Sequence, residues 1–80
     1  MQAEEVKQII ESELEGCQVI PDGEGCNFQV TVIGEMFSGL TPVKKQQLVY
    51  QCLQSQIADG SIHALTIKTY TPAQWQQLQK

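Results

Sequence analysis

The chain has no arginine: its five basic side chains are all lysine, set against nine acidic ones. That absence removes the usual bidentate reader of guanine edges. The net charge of −4 also opposes strong nonspecific binding to nucleic acid, which depends on neutralising phosphates with Lys and Arg. No apolar run approaches the roughly 18 residues needed to span a bilayer. The opening Met1-Gln2-Ala3-Glu4-Glu5 is acidic where a signal or transit peptide would be basic, so a cytoplasmic location without a membrane partner is the expectation. Cysteine is sparse and unpaired in pattern. Cys17, Cys26 and Cys52 are odd in number, far apart and lack any C-x-x-C spacing, which indicates neither a disulfide framework nor a structural zinc site. No glycine-rich phosphate loop precedes a helix, and no nucleophile set assembles around the single histidine, so the chain is not expected to be an enzyme.

What is present reads as one domain over residues 1–80, a size at which a single core gives modest stability. Charge is divided along it: residues 1–40 hold eight acids and one lysine, residues 41–80 one acid and four lysines. Partners are therefore expected to approach one face. Val6, Ile9, Ile10 and Leu14 recur at helical spacing and predict an amphipathic helix from Ala3 to about Glu15, ended by Gly16. Cys17-Gln18-Val19-Ile20 predicts a short strand. Pro21-Asp22-Gly23-Glu24-Gly25 reads as a mobile connection rather than a tight two-residue hairpin. Phe28, Val30 and Val32 alternate with Gln29 and Thr31 and give a second strand, antiparallel to the first because the joining loop is short. Thr41-Pro42 offers a helix start, and Val49, Cys52, Leu53 and Ile57 carry one helix from Pro42 to about Ala58, ended by Asp59-Gly60-Ser61.

The run Ile62 to Pro72 holds the one histidine and the clearest strand. Its alternation places His63, Leu65, Ile67 and Thr69 on one face and Ile62, Ala64, Thr66, Lys68 and Tyr70 on the other. Thr71, Pro72 and Gln74 then spell a capping box for a short last helix whose Trp75 and Leu78 can pack on the sheet. The order is αββαβα, an α+β fold with helices on one face of a small three-stranded sheet. A strand, helix, strand crossover makes the second and third strands parallel, so the sheet is mixed.

Phe37-Ser38-Gly39, then Val43, Lys44-Lys45-Gln46-Gln47 and Val49-Tyr50, then Ile62-His63-Ala64-Leu65, and Thr69-Tyr70-Thr71-Pro72 with Trp75 together resemble the BolA family, in particular its short bacterial branch. The resemblance runs from Val6 to Gln76. It implies a domain similar to class II KH folds that binds a monothiol glutaredoxin and shares a bridging [2Fe-2S] cluster with it and glutathione, in iron-sulfur handling, iron homeostasis or stress response. It implies that His63 is the histidine ligand and that Cys26, just before the second strand, matches a second ligand position. It further implies no cluster in the isolated chain, which is expected as a monomer or weak homodimer. Two departures stand out: relatives often read Ser-His-Phe where this chain has Cys26-Asn27-Phe28, and Arg-His-Arg near Lys44-Lys45-Gln46-Gln47.

The chemistry agrees with a shared site. Cluster iron accepts thiolate and, less often, neutral imidazole, and one His with one Cys falls short of the four ligands usual for such a cluster. Taken without the resemblance, a lone histidine at a strand start is ordinarily a surface or structural residue, and a small thiol at a loop end packs. Cys17 and Cys52 both read as packing residues. Lys44 and Lys45 occupy a helix's first turn, where the macrodipole disfavours positive charge, which suggests a docking or phosphate-contact surface to which Lys68 could add. The alternative function is thus nucleic-acid-binding regulation through the KH-like topology, although the chain has no G-x-x-G clamp.

Overall fold

Helix α1, Ala3–Glu13, begins where the Gln2 backbone N–H donates to the Glu5 carboxylate at 3.1 Å, and its apolar stripe buries Val6 and Ile10. Gly16, at φ +83°, turns the chain into strand β1, Gln18–Glu24. Strand β2 follows at Asn27–Ile33, a 3-10 turn at Glu35–Phe37, helix α2 at Pro42–Cys52, helix α3 at Gln54–Ala58, strand β3 at Ala64–Tyr70 and helix α4 at Pro72–Leu78. The computed structural model describes residues 2–25 and 27–79. No helix among the described residues is long and apolar enough to cross a membrane.

The sheet order is β1-β2-β3, with β1 antiparallel and β3 parallel to the central β2. Register sorts the side chains into rows. Val19, Val32 and Thr69 share one row of the helix-covered face, Pro21, Val30 and Ile67 the next, and Gly23, Phe28 and Leu65 the third. On the opposite face Ile20, Thr31 and Lys68 form one row and Asp22, Gln29 and Thr66 another. Val6, Ile10, Val19, Val30, Val32, Val49 and Leu53 are fully or almost fully buried, so the core lies between β1/β2 and helices α1 and α2. Each such side chain contributes about 1.5–3 kcal/mol by leaving water. Helix α4 reaches round the sheet's end, where Pro72 and Trp75 line a cleft with Cys17, Gln18 and Ile33.

The αββαβα order and mixed sheet agree with the sequence, and four local expectations change. First, Pro21 to Glu24 is strand rather than a mobile connection: Glu24 pairs with Asn27. Pro21 is tolerated because β1 is an edge strand. Gly23, at φ +133°, lies so close to the Asn27 carbonyl that a Cβ there would overlap it. Second, the long middle helix breaks at Leu53, whose N–H bonds back three residues to the Tyr50 carbonyl at 3.0 Å. The break keeps Leu53 buried and lets the Gln56 carbonyl accept from the Ile62 N–H at 3.1 Å.

Third, His63 does not share the inner face with Leu65 and Ile67. Ile62 is buried at 3% exposure, while His63 and Ala64 are both exposed, so the two-residue period starts only at Ala64 and the chain bends before it. Burial of Ile62 against the core overrides the alternation. Fourth, Leu78 is 59% exposed rather than packed on the sheet. Trp75 alone turns inward, its ring centroid 5.5 Å from that of Tyr70.

Candidate metal-ligand site at the start of the third strand

His63 stands one residue before β3, on a short connection from α3 that is pinned at several points. Asp59 caps the turn by accepting from the Ser61 N–H at 2.8 Å, and Gly60 takes φ +86°, a conformation that favours glycine. The hydrogen bonds from Ser61 hold the Asp59 carboxyl below its ordinary value. Ile62 is then fixed from both sides, its side chain in the core and its N–H on Gln56. The next residue, His63, projects from this anchored segment into solvent. An exposed imidazole on a braced backbone is accessible to a metal that arrives with other ligands.

The opposite wall belongs to β2. Asn27, exposed at the start of that strand, is the register partner of Ala64. Cys26, the second expected ligand, lies outside the described residues. Asn27 directly follows Cys26 in the chain and precedes the first buried residue of the strand, Phe28. The Asp59-Gly60-Ser61 turn, which the local sequence marks only as a helix terminus, also orients the histidine segment.

The remaining thiols are poor ligands. Burial, with Glu11 nearby, pushes the Cys17 thiol up, and burial with the Glu13 carboxylate and Cys17 does the same at Cys52. Both therefore disfavour the thiolate that metal binding requires. The Cys52 thiol instead donates to the Leu48 carbonyl at 3.3 Å. Among the described residues no group of three or more His, Cys, Asp or Glu side chains could hold a metal ion.

The lysines are not gathered at this site. Lys44 is exposed in the first turn of α2, where its N–H donates to the Thr41 hydroxyl at 3.2 Å. Lys45 lines a cleft with Thr69, Tyr70 and Gln74, at the far end of β3. The length of β3 sets that end about 20 Å from His63. Lys68 lies on the sheet face opposite the helices. They therefore form two separate positive positions.

The family model for BolA-like proteins matches residues 2–74. The chain is a member of the BolA-like family. This BolA-like chain is 45% identical over 75 residues to the acid stress protein IbaG of Escherichia coli (strain K12), covering 94% of the chain and 89% of that protein. It is 44% identical over 77 residues to the DNA-binding transcriptional regulator BolA of Vibrio cholerae, covering 96% of the chain and 69% of that protein. Among solved structures, a bolA protein homologue from Coxiella burnetii superposes with a TM-score of 0.86 at 36% identity, covering 95% of this chain and 97% of that one. The BolA-like relatives are named as a stress protein and a regulator, neither of them an enzyme name.

Proposed function

We propose that this BolA-like domain is a non-enzymatic adaptor that binds a monothiol glutaredoxin and completes a shared [2Fe-2S] cluster through His63. The observation that carries the proposal is the exposed His63 on a braced segment, in a chain whose described residues offer no metal-binding group of their own. An imidazole can occupy one terminal position of such a cluster, the other ligands being thiolates of the partner and glutathione. Cys26 is the candidate for a further position: it directly precedes Asn27 in the chain as His63 precedes Ala64, and Asn27 and Ala64 are register partners. When bound, the cluster supplies iron chemistry to the complex, and this chain's part is to present an oriented ligand and hold the partner there. In this reading the domain handles iron-sulfur clusters or adjusts iron homeostasis and stress response, and works in the cytoplasm.

Anaerobic reconstitution with a monothiol glutaredoxin and glutathione tests the proposal. The mixed complex is expected to show visible absorption and circular dichroism distinct from those of the glutaredoxin alone, and His63→Ala is expected to abolish the difference. Spectra unchanged by His63→Ala would remove the ligand assignment.

The name of the Vibrio cholerae relative favours a second reading, transcriptional regulation by DNA binding. Lys44 and Lys45 at the start of α2 are the contacts it would use, with Lys68 on the other face, and the αββαβα order similar to class II KH folds is its structural basis. Titration of duplex and single-stranded DNA at two salt concentrations tests it, because phosphate contacts make affinity salt-dependent. Binding that weakens with salt and falls in Lys44→Gln/Lys45→Gln supports this reading; no binding at micromolar protein dismisses it.

A further inference from the structure

Residues 46–58, the longest uncharged stretch of the chain, run from α2 into α3. Helical spacing sets Gln47, Tyr50 and Gln54 on one stripe, with Gln51 beside them. At Leu53 the backbone leaves helical angles, with φ −113° and ψ 15°. The elbow so formed between α2 and α3 holds a hollow of about 420 Å³ lined by Gln47, Tyr50, Gln51, Gln54 and Ile57. Tyr50 is 41% exposed and Ile57 half-buried, so an aromatic ring and an apolar floor meet solvent together. A second hollow of about 220 Å³ shares Gln47 and Gln51 and reaches Lys44. Among the described residues no acidic side chain lines either hollow, and the one ion pair is Lys7–Glu11, so Lys44 has no carboxylate partner.

We propose that this elbow binds the adenine ring of a nucleotide whose phosphate meets Lys44. Tyr50 supplies a π-face on which the base stacks, and Ile57 gives the floor an apolar contact. The glutamines decide which base. A carboxamide presents one acceptor and one donor side by side, which matches the N6 amino group and N7 of adenine as a bidentate pair, whereas guanine offers two acceptors on that edge and suits Arg or Lys. The larger hollow is lined by three such carboxamides and no cation. Lys44 precedes Tyr50 by six residues, about 9 Å along the helix, a separation that ribose and phosphate bridge. The phosphate then sits toward the positive end of α2, which gives the lysines of its first turn an anion to face. Two sources share this chemistry, a free adenine nucleotide and an unpaired adenine in a single strand. The site uses none of the residues assigned to the cluster. It shares Lys44 with the DNA reading, but a paired base in a duplex cannot lie on Tyr50 without leaving its stack.

Titration of the 15N-labelled full chain with AMP, followed by amide chemical shifts, tests the site. Saturable shifts are expected at Gln47, Tyr50, Gln51, Gln54 and Ile57, with GMP binding about tenfold more weakly. Tyr50 is exposed, so Tyr50→Ala leaves the fold intact, which its amide spectrum checks, and is expected to weaken AMP about tenfold. Tyr50→Phe keeps the ring and is expected to retain binding. Lys44→Gln is expected to weaken AMP and to leave adenosine, which has no phosphate, unchanged. An oligo(dA) that binds no tighter than AMP assigns the site to free nucleotides, and one that binds tighter assigns it to single strands. No saturable shift at millimolar AMP, equal affinity for AMP and GMP, or an AMP affinity untouched by Tyr50→Ala would overturn the proposal, whatever duplex DNA does.

Discussion

At its C-terminal end β3 passes into α4 through a closed set of contacts. The Thr71 hydroxyl accepts from the Gln74 N–H at 3.2 Å, the Gln74 side chain returns a bond to the Thr71 N–H at 2.9 Å, and Trp75 lies against Tyr70. At its N-terminal end the backbone is equally well held, by Asp59, Ser61 and Ile62, yet the side chain that follows is directed outward. One end spends its polar groups on the fold. The other presents His63 on a rigid base, and the contrast teaches that exposure here is not looseness.

The adjacent residues Ile62 and His63 offer the strongest way to break the comparison. Ile62→Ala removes a buried anchor and is expected to cost about 2–5 kcal/mol in denaturant unfolding. His63→Ala is expected to stay within about 0.5 kcal/mol of the parent, as surface changes do. A comparable loss from both would mean that the histidine serves the fold.

At the closed end, Thr71→Ala deletes the cap and is expected to cost about 1 kcal/mol, read by thermal unfolding, while leaving the spectrum of a mixed cluster unchanged. A spectral change from that substitution would show that the two ends are not independent.

The comparison explains how much the sequence disclosed. The capping box at Thr71, the strand alternation from Ala64 and the buried stripe of α1 were legible because each repeats a local rule within a few residues. The orientation of His63 was not, since it depends on Ile62 reaching the core and on Gln56 receiving its N–H, both tertiary events. The hairpin was misread for a related reason: Pro21 and Gly23 signal turns in isolation, and only pairing to β2 shows that an edge strand accommodates them. For the site, the residue type and the family resemblance were legible from the chain alone, while the bracing turn and the row shared by Asn27 and Ala64 depend on tertiary pairing.

A smaller effect sharpens the account of the open end. Because the Asp59 carboxyl is held below its ordinary value of 3.8, its contribution to stability is present above that pH and is lost as pH falls through the depressed folded value. Asp59→Ala is expected to lower the melting temperature slightly across the neutral region, where the contribution is fully present, with the difference from the parent closing as pH falls below 3.8. A difference that persists undiminished in strong acid would contradict the assignment of Asp59 to this turn.

The central claim, that His63 ligates a cluster it cannot hold alone, is tested most directly by pulsed electron paramagnetic resonance on the reduced mixed complex made with 15N-histidine-labelled chain. The account expects a 15N coupling from a directly bound imidazole nitrogen that vanishes in His63→Ala. A mixed cluster with no histidine coupling, or with a coupling that survives His63→Ala, would contradict it.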